Sequence, residues 1–447
     1  MNDLVKDFEL ILNSALKSVS PSEIFKDKIL IDENKFNIEN HSFSINQFEK
    51  IYVIGFGKAS SAMATEIEKY LLNRIEDGIV ITKYGFKTRT KKIKVFEAGH
   101  PLPDENTIKY SLDVLNLLSK TGKNDLVICL ISGGGSSLFE VPIDGIDLQT
   151  LQELNDYLIK QKIPIHKINY FRKAISKVKG GKLLEFIYPS TCISLIISDV
   201  IGDDLSVIAS GPTYMTPEQI YIDRDSISEL KKILNTKGKL QLLEQLVKTE
   251  IFNEKIFSNY NTKVHNFIVA SNKTAVEKSI EISRKLGYEL QSYKYDVSSS
   301  VENLTRIFLN DFLTLNQIQK PFKKIIIYGG ETFLEVKGKG KGGRNLHLIL
   351  TILNEQIKNN IQTNFKFLIS SFATDGNDGN TNVAGAFINN ELIDKVKLSS
   401  YSTEFYLQNF DSYHFFINFN CLIKTGPTLT NVADLFICLA CSNENLC

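Results

Sequence analysis

Short, uninterrupted apolar runs recur along the chain, and most of them end in glycine or in an acidic turn. The runs read KIYVIGFG, GIVITKYG, DLVICLISGGG, CISLIISD, HNFIVASN, KIIIYGGE and KFLISSFATDG. They are rich in Ile, Val and Leu without polar alternation, which is typical of strands buried on both faces of a parallel sheet. Segments of helical periodicity, such as ASSAMATEIEKYLLN and KTAVEKSIEISRKLG, separate many of the runs. This alternation of strand and helix predicts doubly wound α/β layers.

The length of the chain predicts more than one domain. Its 447 residues exceed what one core fills, since single hydrophobic cores stop growing at roughly 250 to 300 residues. A polar, Lys-rich stretch runs from about residue 214 to about residue 262 and contains helical pieces such as ISELKKILN. We therefore expect two α/β domains, with helices and connectors between their sheets in this stretch.

Composition and charge exclude several classes of function. Lys and Arg number 52 and Asp and Glu 51, a formal net charge of +1, which argues against a chain that coats nucleic acid or an anionic membrane. No uncharged apolar stretch of about 18 residues predicts a membrane span, and the acidic N-terminal segment lacks the pattern of a signal peptide. The six cysteines stand mostly inside apolar runs, which predicts buried free thiols in a reducing, cytoplasmic compartment.

Two glycine-rich turns follow apolar runs and are typical of anion binding. In GFGKA, the turn precedes a helix, whose first N–H groups and the Lys58 ammonium suit a phosphate or a carboxylate. A tight turn with a solvated lysine explains this motif equally well. In SGGGSS, three glycines let a ligand approach a nest of N–H and hydroxyl donors. The candidate ligand-binding positions of the two turns are Gly57, Ser132, Gly133, Gly134, Gly135 and Ser136.

Carboxylates follow two further strands. Asp199 comes directly after the run CISLIIS, where a carboxylate can deprotonate a hydroxyl or hold a divalent metal. Asp375 and Asp378 lie in the glycine-rich turn TDGNDG and could bind Mg²⁺ or a substrate hydroxyl. Turns stabilised by their own Asp and Asn side chains are the alternative interpretation of this second motif.

A basic loop precedes a helix in GGETFLEVKGKGKGGRN. Glu331 ends a strand there, and Lys339, Lys341 and Arg344 gather near the helix start. Cations at a helix N-terminus oppose the helix dipole, so the pattern indicates a bound anion. The planar fork of Arg344 suits phosphoryl oxygens. A basic loop that recruits nucleic acid is disfavoured by the balanced charge of the chain.

Nine sequence blocks resemble, in this order, the glycerate 2-kinase family, whose C-terminal part is called the MOFRL domain. They are GFGKA, AGHPLPDE, SGGGSSL, FRKAISKVKGGKL, ISDVIGDDLSVIASGPT, VASNKTA, GGETFLEVKGKGKGGRN, ATDGNDG and KTGPTLTNVADL. The resemblance implies an N-terminal Rossmann-like domain with a doubly wound parallel sheet, placed at residues 1–255. It also implies a smaller C-terminal α/β (MOFRL) domain, placed at residues 256–447.

The resemblance further implies transfer of phosphate from ATP, with Mg²⁺, to D-glycerate, giving 2-phosphoglycerate. The catalytic residues are then Lys58 and Arg344, which hold carboxylate or phosphoryl oxygens, and Asp199, which orients or deprotonates the attacking hydroxyl. Contacts with substrate or nucleotide extend to Asn272, Glu331, Lys339, Lys341 and Asp375, and the candidate metal ligands are Asp375 and Asp378.

Two other functions stay open from the sequence. One is an NAD(P)H-dependent hydroxypyruvate reductase, which Lys83 disfavours because an acidic residue normally ends the second strand of a dinucleotide-binding fold. The other is a non-catalytic sugar-phosphate sensor, which leaves Asp199 and Arg344 unexplained. The expected partners are small molecules, with neither nucleic acid nor membrane, and homo-oligomerisation is left open. Against the family pattern, Leu346 and His347 replace Gln-Glu, and Asn382 replaces an Asp.

Overall fold

The computed structural model describes residues 2–32, 34–160, 165–215, 260 and 263–442. The connectors predicted between residues 214 and 262 lie almost entirely outside the described residues. The chain forms two compact units: the first unit is Pro21–Val269, and the second is Met1–Ser20 together with Ala270–Cys447. No helix in the described ranges has the length and apolar character needed to cross a membrane.

The N-terminal helix α1 (Asn2–Ser18) belongs to the second unit, whereas the predicted division placed residues 1–255 together. Leu4, Phe8, Ile11 and Ala15 form a buried stripe at helical spacing. The Phe8 ring packs edge-on against Phe372, with 6.2 Å between centroids. The sequence shows such a stripe but not the surface that covers it, which is why the difference arises.

A six-stranded sheet lies at the centre of the first unit. The helices and strands of this unit are α2 (Pro21–Asp27), β1 (Ile29–Ile31), β2 (Lys35–Ile38), β3 (His41–Ser44), β4 (Ile51–Phe56), α3 (Ser60–Leu71), β5 (Ile75–Lys83), β6 (Ile93–Ala98), α4 (Glu105–Leu118), β7 (Leu126–Ser132), α5 (Gly135–Leu138), α6 (Leu148–Lys160), α7 (Ile165–Ala174), α8 (Leu183–Ile187), β8 (Thr191–Ile197) and β9 (Val264–Ala270).

The strand order in this sheet is β6-β5-β4-β7-β8-β9. β4 pairs in parallel with β5 and β7, β5 with β6, and β7 with β8. Every residue of β4 and β7 is buried, as their continuous apolar sequences predict. β1, β2 and β3 form a separate antiparallel sheet. The doubly wound parallel sheet expected near the N-terminus is confirmed.

A second six-stranded sheet organises the second unit. The remaining elements are α9 (Asn272–Lys285), β10 (Glu289–Ser300), α10 (Val301–Thr314), β11 (Lys323–Phe333), α11 (Arg344–Lys358), β12 (Phe365–Ala373), β13 (Gly385–Asn389), α12 (Asn390–Leu398), α13 (Thr403–Gln408), α14 (Ser412–Phe419), β14 (Leu422–Ile423) and β15 (Asp434–Ser442).

This second sheet has the order β10-β11-β15-β12-β13-β14. β10 and β11 are parallel, but the pairs β11–β15, β15–β12, β12–β13 and β13–β14 are antiparallel. The parallel pairing that the runs suggest is therefore confirmed for β11 (KIIIYGGE) only on the side of β10. It is wrong for β12 (KFLISSFATDG), whose two neighbours are both antiparallel. Continuous apolar sequence reports burial on both faces, which antiparallel strands share when helices cover them. The cysteines of the described residues are free and buried, as predicted.

Candidate active site

The carboxyl ends of three neighbouring strands meet in the first unit. Phe56 of β4 pairs with Ile131 of β7, and Ser132 of β7 pairs with Ile197 of β8. The chain passes from β4 to β5 on one side, whereas β7 lies on the other side. The strand order therefore reverses between β4 and β7, and ligands of open α/β sheets bind at such a switch point.

The turn that carries Lys58 is locked to the turn that follows β7. Gly57 has a φ of 125°, and a Cβ there would lie 2.3 Å from Ser132 Oγ. The N–H of Lys58 donates to the carbonyl of Gly133 at 2.9 Å. The N–H of Ala59 donates to Ser132 Oγ, also at 2.9 Å. Ser132 is fully buried, so its hydroxyl joins the two turns.

The glycine turn after β7 is lined by a histidine and by Lys58. Gly134 has a φ of 80°, and a Cβ there would lie 2.8 Å from His100 Nε2 and 3.5 Å from Lys58 Cγ. A Cβ at Gly135 would lie 2.9 Å from that of Ala209. The glycines thus allow a close approach that no other residue allows. His100, which stands in the block AGHPLPDE, therefore adds a residue to this corner.

The segment after Asp199 returns to the same turn. The hydroxyls of Ser136 and Ser210 lie 2.8 Å apart, and Ala209 and Ser210 have positive φ values of 50° and 64°. Backbone in this region costs about 1 to 3 kcal/mol per residue and is concentrated at functional sites. Asp199 itself is half-buried and lies two residues beyond the end of β8. Ser210 was not predicted from the sequence, although it lies in the block ISDVIGDDLSVIASGPT.

A buried ion pair lies next in sequence to the residues that bind the Ser210 loop. Lys179 and Glu140 have side chains that are 3% and 1% exposed, and they pair directly. Burial lowers the pKa of Lys179, and the charge of Glu140 opposes that shift. The two residues that follow Lys179 bind the loop that contains Ser210. The N–H of Gly180 donates to the carbonyl of Ser210 at 2.9 Å, and the N–H of Gly181 donates to the carbonyl of Gly211 at 2.7 Å.

In the second unit, Arg344 begins α11 and is bound by two carboxylates. Its Nε and Nη2 donate to Asp434 at 2.6 and 3.1 Å, and its Nη1 donates to Glu331. Burial lowers the pKa of Arg344, but Asp434, Asp378 and Asp375 more than offset that effect and raise it. Asp434 was missed from the sequence because 90 positions separate it from Arg344.

Asp378 serves as an N-terminal cap of α11. Its two carboxylate oxygens accept the N–H groups of Asn345 at 3.1 Å and of Leu346 at 2.8 Å. Burial raises its pKa to about 7, although these N–H groups lower it. Its assignment as a metal ligand stays a prediction.

A Mg²⁺ site made entirely of protein side chains is not found in the described part of the chain. No group of three or more His, Cys, Asp or Glu side chains converges there. Mg²⁺ is more often held by one or two carboxylates together with substrate phosphates. Asp375, which is almost buried and accepts the N–H of Asn377 at 3.0 Å, fits that second arrangement.

The basic loop is built from alternating lysines and glycines. A Cβ at Gly338 or Gly340 would lie 2.4 or 2.5 Å from the carbonyl of Asn409, so the glycines face the segment before α14. Lys339 is exposed, whereas the Lys341 ammonium lies 4.2 Å from the centre of the Tyr413 ring. The two glycines thus let the loop pack closely against the segment before α14.

Asn272 lies near Asp434. Its amide Nδ2 donates to the carbonyls of Val432 at 2.8 Å and of Asp434 at 2.9 Å. Its Oδ1 is buried without a hydrogen-bond partner among the described residues. A cavity of ≈ 20 Å³ beside Glu331, Asn345 and Asp434 has room for about one water molecule.

Comparison with known proteins places these two units in one family. Residues 7–244 match the family described as Domain of unknown function (DUF4147), and residues 324–434 match the MOFRL family. The chain is 34% identical to glycerate 2-kinase of Pyrococcus horikoshii over 97% of both chains. The chain belongs to the glycerate 2-kinase family.

Two further comparisons support the assignment. The chain is 33% identical to D-glycerate 2-kinase of Thermotoga maritima over 96% of both chains. The crystal structure of a glycerate kinase from the same organism matches with a TM-score of 0.77 at 30% identity, covering 98% of this chain and 100% of that one. The glycerate 2-kinase fold therefore extends over essentially the whole chain.

Proposed function

We propose that this chain is an ATP-dependent glycerate 2-kinase, which phosphorylates D-glycerate to 2-phosphoglycerate and releases ADP. The single observation that carries the proposal beyond family membership is the corner at the switch point of the first sheet. There Lys58 adjoins the glycine turn after β7, where a Cβ at Gly134 would come within 2.8 Å of the His100 ring and 3.5 Å of Lys58 Cγ. Such a turn binds phosphate or carboxylate oxygens through N–H groups and one mobile charge.

In the first unit, Lys58 and the N–H groups of Gly133 to Gly135 bind an anionic group of substrate or nucleotide. Asp199 orients the attacking hydroxyl of glycerate and accepts its proton. Phosphoryl transfer has a loose transition state, so positioning and charge neutralisation contribute more than base strength. Locking the Lys58 turn to Ser132 reduces the reorganisation needed during the reaction.

In the second unit, Arg344 binds phosphoryl or carboxylate oxygens, and Lys339 and Lys341 supply further positive charge for the phosphates of ATP. Asp375 would hold Mg²⁺ together with those phosphates, where the ion neutralises part of their negative charge. Asn272 acts on this group indirectly, because it fixes the backbone of Asp434.

The structure disfavours NADH reduction of hydroxypyruvate as the activity. In dinucleotide-binding folds the second strand ends in an acidic residue that accepts a hydrogen bond from the ribose. Here β5, the neighbour of β4, ends at Lys83, whose ammonium lies 5.3 Å from the centre of the Phe86 ring. A lysine cannot accept that hydrogen bond.

The proposal is tested by ADP release from ATP, Mg²⁺ and D-glycerate with purified variants. Lys58→Met and Asp199→Asn should lower kcat by about 100-fold or more. Lys69→Met is the matched control, because Lys69 lies on the helix that follows Lys58 and is 57% exposed; its kcat should stay within about twofold of wild type. Oxidation of NADH or NADPH with hydroxypyruvate, without ATP turnover, would refute the proposal, and so would glycerate binding without any turnover.

A further inference from the structure

The two carboxylates on Arg344 differ in how firmly they are held. Asp434 is 8% exposed and binds through both oxygens, and Asn272 clamps its backbone carbonyl. Glu331 is 46% exposed and accepts a hydrogen bond only from Nη1 of Arg344. One partner is therefore fixed in the protein, whereas the other faces solvent.

Glu331 has a fixed backbone and a side chain that can turn away. Gly330 pairs with Val297 of β10, and Glu331 pairs with Ser298. A Cβ at Gly330 would lie 2.2 Å from the carbonyl oxygen of Val297, so the strands leave no room for a shift there. Any change at Glu331 must occur by rotation of its exposed side chain.

The charges around Arg344 favour such a change when an anion arrives. One guanidinium with two carboxylates leaves a net charge of −1, and Asp378 and Asp375 lie close enough to affect its pKa. A phosphate or carboxylate would be repelled by this group unless one carboxylate leaves. An exposed ion pair is the weaker of the two, because solvent screens it and the freed carboxylate is hydrated again.

We propose that Glu331 is an exchangeable counter-ion, which occupies the Nη1 position of Arg344 until a phosphoryl or carboxylate oxygen of a ligand replaces it. Glu331 then competes with the ligand for Arg344, and it is not itself a ligand contact. The inference rests on the proposed function for the identity of the natural anion. Binding of an inorganic anion at Arg344 does not require turnover.

The test measures inorganic phosphate binding to the full chain, from the rise in thermal unfolding midpoint with phosphate at constant ionic strength. Glu331→Gln should bind phosphate about two- to fivefold more tightly than wild type, the factor that an exposed ion pair is worth. Glu289→Gln is the matched control. It removes the same charge from a pair with Lys324 near the opposite end of β11, and it should leave the phosphate affinity unchanged.

A double-mutant cycle decides whether the effect acts through Arg344. Glu331→Gln in an Arg344→Gln background should no longer tighten phosphate binding, because the guanidinium for which Glu331 and phosphate compete is absent. Unchanged or weaker phosphate binding by Glu331→Gln would overturn the inference, and so would equal tightening by Glu289→Gln. Tightening in a chain without kinase activity would uphold this inference while the proposed function fails, so the two outcomes are distinguishable.

Discussion

Replacement of Gly57 by alanine tests the corner that holds Lys58. The new Cβ would lie 2.3 Å from Ser132 Oγ and 2.4 Å from Ser132 O. Ser132 cannot move aside easily, because its backbone belongs to the central strand β7 and pairs with Ile197. The substitution also places a side chain on a φ of 125°, which L residues rarely adopt.

The size of the effect follows from these two terms. The strained backbone costs about 1 to 3 kcal/mol, and overpacking against buried backbone costs about 1 to 3 kcal/mol more. Gly85→Ala separates them, since Gly85 has a φ of 82° but no atom within 4 Å of its added Cβ. Gly57→Ala should therefore be less stable than Gly85→Ala by about 2 kcal/mol, or roughly 4 to 8 °C in the unfolding midpoint.

Activity should respond more strongly than stability. Lys58 follows Gly57 directly and is tied to Gly133 by one backbone hydrogen bond, so relief of the clash moves its ammonium. A displacement of about 1 Å costs on the order of 100-fold in rate. Thermal unfolding and kcat of ADP release, measured well below both midpoints, are compared for the two variants. Equal stability and equal kcat in Gly57→Ala and Gly85→Ala would refute the reasoning.

Three further predictions concern buried charges. Lys179→Met should destabilise the chain by about 3 to 5 kcal/mol because it strands the buried Glu140, whereas Lys179→Met with Glu140→Leu should be nearly neutral; equal denaturant midpoints for the single and double variants would contradict this. Burial lowers the pKa of His347 from 6.5, so below about pH 6.5 the unfolded chain binds a proton that the folded chain resists. The free energy of unfolding should therefore decrease as the pH is lowered through that window, and it should decrease less steeply for His347→Gln than for the wild type. Identical slopes of unfolding free energy against pH would exclude the effect. Arg344→Lys should lower kcat/KM by about 100-fold, because an ammonium cannot reproduce the paired bonds to Asp434, and a change below threefold would argue against it.

The first sheet and its corner were largely predictable from the sequence. Runs such as DLVICLISGGG predict both a buried strand and the position at which that strand ends. Parallel strands bring their carboxyl ends to one edge, so Lys58 and the glycine turn after β7 could be placed together in advance. Asp199 after the run CISLIIS and Arg344 at a helix start are also indicated by local patterns, and the resemblance added their catalytic roles.

What the sequence left out are partners distant along the chain. Arg344 was expected to face an anionic ligand, and the structure shows it bound by Asp434 and Glu331. Antiparallel pairing of β15 between β11 and β12 brings Asp434 there, and apolar runs do not encode pairing direction. The one available signal was a carboxylate opening the otherwise apolar run LFICLAC, since a buried acidic residue needs a partner.

The most direct test of the central claim is identification of the product from D-glycerate, ATP and Mg²⁺ by phosphorus NMR. The account predicts 2-phosphoglycerate as the product, with ADP in equal amount, and loss of both in Lys58→Met. Formation of 3-phosphoglycerate, or no phosphorylated glycerate at all, would contradict it.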